Sequence, residues 1–385
     1  MFFSEKKEDR VILLISVQSS MVRGTLVRDR AGELPLVMWS SSKAIRHRED
    51  ADASYLPKAT FTHVRNLSEE IARDYEAYRH SDPSLPAYIE EVHYALASPW
   101  ILSHALTLSK KYDNAVPVSE KMILTIISDA RSKFLPKDAK ELAIVEEKIF
   151  DIRLNGYSIS SWQGKTAHSL EISFATSAIE IKTEEKFREA CGHIVRGNNI
   201  FFHSSLLLHH IGLQHIFPEK VSYVLVHVHG ELTDVVVVEN RMCTFFGSFP
   251  MGINTAIRQI ALSANVTEQV ADSMLTMYIG GRMDTAEKEK TRVIIETISA
   301  EWNAQFANLT GGYLSDEHLP ETAILTSRSH EAFFVESYKK HFEKSKVELI
   351  STEMLSGFIS FAPKVEKLRL TGLYSIALTI LHKRL

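Results

Sequence analysis

Apolar residues along this chain recur with period two in short runs and with period three to four in longer ones, which separates strands from helices. VILLISV (11–17) is strand-like in its β-branched content, and MVRGTLVR (21–28) and LPLVMW (34–39) extend it into a three-strand meander turning at Asp29-Arg30-Ala31-Gly32. Residues 40–60 are polar and charged and read as a surface loop. Phe61, Val64, Leu67, Ile71, Tyr75 and Tyr78 then recur at helical spacing up to the turn signal SDPSLP (81–86). From about 85 to 181 the pattern changes. YIEEVHYAL, MILTIISDA, a charged helix near 137–148, IFDIRLNGYSI and HSLEISFAT alternate short strands and helices, with Asn155-Gly156 as a hairpin signal. This stretch reads as a small α+β module inserted into a larger domain. EEKFREACGHIV (184–195) returns to a helical period.

The second half repeats the opening. VLVHVHGELTDVVVVE (224–239) is a strand pair, Glu239-Asn240-Arg241 the next turn and MCTFFGSF the third strand. At an offset of 211 positions Ser16 faces His227, Gln18 faces His229 and Arg28 faces Glu239. Side-chain identity is poor, but the order of strands and turns is the same, which predicts two similar domains facing each other across a cleft. Gly252 opens a helix with Ile253, Ile257 and Ile260, and Thr267 caps another. A longer helix carries Ile294, Ile298, Trp302, Phe306 and Leu309 and is stopped by Gly311-Gly312. TAILTS (322–327) is a strand, Phe333, Phe334 and Tyr338 mark a helix, and GLYSIALTILHKRL is the last helix. Trp302, Phe306, Phe333 and Phe334 read as core.

Composition narrows the classes. The 385 residues are 45% hydrophobic and 24% charged, which fits a globular protein of two or more domains. A net charge of −4 gives no electrostatic reason to expect nucleic acid. Cys191 and Cys243 lie far apart in no metal-type spacing, and a reduced cytosolic protein is preferred to one disulfide. MFFSEKKEDR is charged where a signal peptide needs apolar residues, and no run reaches the roughly 18 apolar residues of a membrane span. Any work at a membrane then needs another anchor.

The ordered set of segments resembles the actin-like superfamily and, within it, the FtsA and PilM branch. VILLISVQSSMV sits like the first phosphate loop, VHVHGELTDVVVV like the second, SFPMGINTAIRQIA like the turn and helix after it, and AILTSRSHEAFF like the adenosine loop. The insertion, with its NGYSISSWQGKTAHSLEISFATS run, resembles the SHS2-type subdomain of that branch. The resemblance implies an α/β, duplicated actin-like (RNase H-like) two-domain fold with a cleft, plus the inserted α+β subdomain. The expected domains are 1–84 with 182–215, the insert 85–181, and 216–385 with a helical subdomain at about 262–318.

Phosphate loops need glycine for backbone approach and carboxylates to hold magnesium. Here the first loop carries Ser16 at the acid position and Gln18 at the glycine position, with Ser19 and Ser20 as remaining hydroxyls. The second has His227 for the acid and His229 for the first glycine, followed by Gly230, Thr233 and Asp234, which fit the pattern; Gly252 survives as well. In the third, Ser327, Arg328, Ser329 and His330 replace a glycine run. The degenerate cleft predicts no ATP hydrolysis and no catalytic residue, while Arg328 leaves room for ATP held weakly or without magnesium. Asp234 reads equally as a turn acid, Gly230 as a turn glycine, and Ser19 and Ser20 as a tight turn. His227 and His229 share a strand face but lack the further ligands of a metal site, so no metal is expected. They and the nearby His203, His209, His210 and His215 read as helix-surface and pocket-lining side chains.

By resemblance to PilM, the chain is expected to be a cytoplasmic, non-catalytic adaptor of type IV pilus or related secretion assembly. It would be recruited to the inner face of the membrane by the short tail of a PilN-like protein. Resemblance to FtsA implies instead a cell-division protein that binds FtsZ and polymerises. An end at Leu385, without a following amphipathic helix, favours the adaptor, and His382, Lys383 and Arg384 read as a helix C-terminus rather than a lipid anchor. A homo-oligomer or filament is open in either case. The reading of another class is an active ATPase or kinase of the superfamily, which would want an acid at 16 or 227.

Overall fold

The computed structural model describes residues 9–45, 54–134, 141–195, 197–311, 319–327 and 329–383. β1 (Asp9–Val17), β2 (Met21–Arg30) and β3 (Leu36–Ala44) form the expected antiparallel meander. Helix α1 (Tyr55–Ser81) then returns the chain to β4 (Glu91–Leu96), which pairs parallel to β1. A separate four-stranded sheet follows. It contains β5 (Leu102–Pro117), β6 (Leu142–Leu154), β7 (Tyr157–Ser158) and β8 (Thr166–Glu180) in the order β5-β8-β6-β7, with helix α2 (Glu120–Phe134) after β5. Helix α3 (Ile181–Cys191) leads back to β9 (Ile200–Ser204), parallel to β4. Helix α4 (Ser205–Ile216) then crosses to the second half.

There the plan repeats. β10 (Tyr223–Val228), β11 (Thr233–Glu239) and β12 (Met242–Phe249) are an antiparallel meander. Helices α5 (Ile253–Ala264), α6 (Glu268–Ile279) and α7 (Thr285–Gly311) separate it from β13 (Thr322–Ser327), parallel to β10. Helix α8 (Glu331–His341) leads to β14 (Lys346–Leu349), parallel to β13. After the short α9 (Thr352–Leu355), β15 (Ser360–Phe361) crosses back and pairs with β3 at the edge of the first sheet. Helix α10 (Arg369–Lys383) packs along α4. The two large sheets thus read β15-β3-β2-β1-β4-β9 and β12-β11-β10-β13-β14. Each has a meander on one side of its first strand and two parallel strands on the other, so the fold is α/β, duplicated, with an insert.

The packing explains the apolar pattern. VILLISV is buried along its whole length because both faces of the first sheet are covered, as for strands with helices on each side. Val11, Leu13 and Ile15 pack with Ile71 of α1 and Phe187 of α3, while Leu14 meets Leu208 of α4 and Tyr374 of α10. In the second half Val224 and Val226 face Trp302, Phe306 and Phe334, with Phe333 in the same core, as their spacing predicts. A further core joins all three sheets: Leu225 and Val236 of the second meet Ala105 and Ala175 of the insert and Val37 of the first. Polar contacts follow the same seam, with Ser98 Oγ 2.9 Å from Ser248 Oγ and Arg153 Nη2 donating to the Asn240 carbonyl at 2.7 Å.

Several expectations change. The polar run after residue 40 is not wholly loop: β3 continues to Ala44 because Ser40, Ser41 and Ser42 pair with Thr25, Gly24 and Arg23, and α1 begins at Tyr55. YIEEVHYAL does not belong to the insert, since β4 takes the place beside β1. The charged helix near 137–148 is a strand where it is described: β6 runs from Leu142, its charges carried at two register shifts against β8. Gly312 and Arg384 lie outside the described residues, as do the side chains of His382 and Lys383.

Candidate functional site

The cleft between the two large sheets is bounded by the turns that follow their first strands. β1 ends at Val17 and β10 at Val228, positions related by the offset of the repeat. The Gln18 N–H donates to the Met21 carbonyl at 2.9 Å, closing a tight turn that carries Ser19 and Ser20. The matching turn is closed by the His229 N–H on the Leu232 carbonyl at 2.8 Å.

These turns bond to each other. Gln18 Nε2 donates to His227 Nε2 at 3.5 Å, and the Glu231 N–H donates to Ser19 Oγ at 3.3 Å. A Cβ at position 230 would lie 2.1 Å from Ser20 Oγ. Gly230 is therefore required by the contact between turns. Gly252 has the same role: a Cβ there would come within 2.5 Å of the His229 and Gly230 carbonyl oxygens. The Ile253 and Asn254 N–H groups donate to those oxygens at 3.0 and 2.7 Å. The first amides of α5, which at a helix N-terminus are available to an anion, are thus taken by protein backbone. The negative charge beside them is also internal. Glu231 accepts from Asn254 Nδ2 at 3.0 Å and from Arg258 Nη1 and Nη2 at 3.1 and 2.6 Å.

The two histidines of the second loop are equally engaged. A side-chain amide nitrogen only donates, so His227 accepts at Nε2 and carries its proton on Nδ1, which donates to Thr326 Oγ1 at 2.7 Å. His229 Nε2 donates to Asp234 at 2.7 Å, and Ser248 Oγ donates to the other carboxylate oxygen at 2.5 Å. Asp234 is fully buried, so it is an internal acceptor and not merely a turn acid. Thr233 Oγ1 donates to the Met251 carbonyl at 2.6 Å and accepts from Trp302 Nε1 at 3.1 Å, beneath the cleft.

His209, His210, His227 and His229 are core side chains, whereas His215 is exposed, as expected. His209 of α4 lies with its ring 4.7 Å from that of His227, which is 4.0 Å from that of His229. His209 and His210 are wholly buried, so they are neither helix-surface nor pocket-lining residues. Burial holds His209 down to about 3, with His229 adding to the effect, and burial alone holds His210 at about 3. His227 is pushed well below its ordinary value by burial, then by His229 and His209. All three are neutral at pH 7. Among the described residues no group of three or more His, Cys, Asp or Glu is placed to hold a metal ion.

The cleft keeps a cavity of about 80 Å³ lined by Ser16, Gln18, His227, Ser327, Arg369 and Tyr374. Pockets that hold drug-sized ligands run to roughly 300–1,000 Å³, so this space suits a few waters. On the adenosine side the Ser327 N–H donates to Glu331 at 3.0 Å, and Ser327 Oγ donates to the Ser329 carbonyl at 2.9 Å. Arg369 Nη1 meets Glu331 at 2.7 Å. His330, at positive φ, reaches Asp272 of α6 at 2.8 Å. Arg328 lies outside the described residues.

No family model matches the sequence, and a search of curated proteins finds no match. Solved structures do match. PilM of a PilM-PilN type IV pilus biogenesis complex overlays with a TM-score of 0.62 at 13% identity, covering 97% of this chain and 98% of that one. The fold is actin-like. MreB 5 of Spiroplasma citri bound to AMPPNP (TM-score 0.49, 8% identity, 98% and 97% covered) overlays too loosely to argue from. The same is true of the ethanolamine utilization protein EutJ from Carboxydothermus hydrogenoformans (0.44, 12%, 95% and 88%).

Ser16 and Gln18 line one cavity with His227, while Ser19 bonds to the Glu231 N–H and Ser20 packs against Gly230, with Gly252 behind them. Two participants were not expected from the sequence. Glu231 follows Gly230 directly, and Arg369 opens the last helix, but neither signals a role until turn and helix are known to touch.

Proposed function

We propose that this chain is a non-catalytic, actin-like cytoplasmic scaffold that holds a short PilN-like tail of a membrane protein in an envelope machine such as a pilus or secretion assembly. The mutual closure of the two turns carries the reading. Where phosphates and magnesium would lie, Gln18 and Ser19 bond to residues of the other half, Ser20 packs against Gly230, and the amides of α5 are capped. An ATPase would have to break these contacts and would still lack an acid at 16 or 227. The overlay on PilM, taken from a complex with PilN, supports a tail-binding partner for this chain. Among the described residues no helix is long and apolar enough to cross a membrane, which agrees with recruitment through that partner.

The test is thermal unfolding with ATP, with and without magnesium. A ligand at about 100 times its Kd stabilises by about 2.7 kcal/mol. No magnesium-dependent shift and no turnover is expected; turnover would falsify the non-catalytic reading. Co-expression with a PilN-type tail is expected to give a complex, whereas retention of an FtsZ tail instead would move the chain to the division machinery.

A further inference from the structure

Outside the cleft, two histidines join the first sheet to the insert. His93 of β4 and His203 of β9 lie edge to edge, with His93 Nδ1 3.0 Å from His203 Nε2 and the rings within 12° of parallel. At one end His93 Nε2 meets Glu91 at 2.9 Å, and at the other His203 Nδ1 meets Glu146 of β6 at 2.8 Å. His203 is therefore a strand residue in a seam, neither helix-surface nor pocket-lining. Glu91 also accepts from Arg10 at 3.1 Å, and Arg10 is shared with Asp29. The second Glu146 oxygen accepts from the Ser204 N–H at 3.0 Å, and Lys148 follows on the same side of β6. From α4 and α10, apolar Leu208, Ile211, Leu378 and Leu381 pack against Leu14 and Ala95 on the same face of the sheet.

The line of contacts fixes a proton count. Each of its three hydrogen bonds needs one proton between the two atoms. Glu91, beside Arg10, and Glu146, accepting on both oxygens, act as carboxylates. The two rings must then hold three protons, one more than two neutral imidazoles carry. Burial first, and the charge on His203 with it, holds His93 down to about 4, against the Glu91 bond that favours its charged form. His93 is the neutral ring, donating from Nε2 to Glu91. His203 is the cation, donating from Nε2 to His93 and from Nδ1 to Glu146.

We propose that the His93–His203 pair is a proton-dependent latch, which fastens the insert to the first sheet while it holds three ring protons and releases Glu146 when one is lost. Because the closed line carries the extra proton, it is favoured as pH falls toward neutrality and lost as pH rises. With two protons, His203 Nδ1 faces Glu146 lone pair to lone pair, and that contact opens. Ala143 and Val145 keep their packing on the first core, so the insert loosens and stays attached. Phe150 and Arg153, farther along β6, remain on the second half, so opening lets the first sheet shift against a strand anchored elsewhere. The inference goes beyond the scaffold reading and does not rest on it.

Ring-nitrogen NMR of the isotope-labelled full chain tests it, together with hydrogen exchange at the Ser204 amide. At about pH 6 His203 is expected to be protonated on both nitrogens and His93 on Nε2 alone. Between about pH 6 and 9 Ser204 protection, corrected for the intrinsic rate, is expected to fall about tenfold, as for the loss of one charge-assisted hydrogen bond. Glu146→Gln separates a latch from a merely structural contact. Its amide can donate to an unprotonated His203 Nδ1 and accept from Ser204, so two ring protons complete the line. In that variant both rings are expected to be neutral and Ser204 protection to stay constant over the same range. Two neutral rings in the parent chain at the lower pH, Ser204 protection that does not change with pH, or the same fall in Glu146→Gln would overturn the proposal.

Discussion

The α4–α10 pair ends in two opposite surfaces. Toward Ser205 and Tyr374 the helices meet a cleft whose two turns bond to one another and whose His209 and His227 are uncharged. Toward Phe217 and Ile380 they floor a groove with five times the space, where Lys220 is paired with Glu348 and Arg241 donates to the Pro218 carbonyl. The difference lies in what the chain brings to each end. The cleft receives two turns of the same design, and each supplies the partner the other lacks. The groove receives a single hairpin, with Arg241 at a φ of 67° where glycine is easier. In a duplicated fold, the symmetric site is the one able to close on itself.

Four changes break or sharpen this contrast. The largest effect is expected for His229→Leu, which leaves buried Asp234 with only Ser248. Taking a hydrogen-bond donor from a buried carboxylate costs more than the ~1–3 kcal/mol of a neutral buried group, read by chemical denaturation. Next is acidification. The unfolded chain binds protons at His209 and His210 below pH 6.5, while the folded chain resists to about 3, so stability falls as pH drops through that window. The slope approaches about 1.4 kcal/mol per pH unit for each ring well below 6.5. Denaturation at pH 7, 6 and 5 measures it, and His209→Gln is expected to flatten it. Third, Gly252→Ala presses a methyl into two carbonyl oxygens and is expected to cost about 1–3 kcal/mol in the same assay. Smallest, and opposite in sign, Arg241→Gly relieves the left-handed turn and is expected to raise stability by about 1 kcal/mol. A stability gain there, beside a loss in Gly252→Ala, would separate the two ends of the helix pair most clearly.

The duplicated strands were legible because their runs are continuous and apolar, and TAILTS (322–327) matches β13 at both ends. The insert was harder. Glu146, Glu147 and Lys148 are three consecutive charges between two register shifts, so β6 shows no period-two apolar pattern there. Ser40–Ser42 look like loop because hydroxyls give no apolar signal, although their backbone continues the ladder with β2. At the candidate site, the missing acids and glycines could be read directly. The closure could not, since Ser19 and Glu231 are 212 residues apart and their contact depends on how the halves face each other.

The short strand β15 sets a timetable. Ser360 reaches back to the Pro35 carbonyl, 325 residues earlier in the chain, and completes the edge of the sheet made by the first strands. At synthesis rates of about 5–20 residues per second, that edge waits roughly tens of seconds for its last partner. Through that interval β3 presents an unpaired backbone beside Val37, the kind of edge that invites a wrong strand. In a newly made copy that edge stays open until Ser360 and Phe361 have emerged.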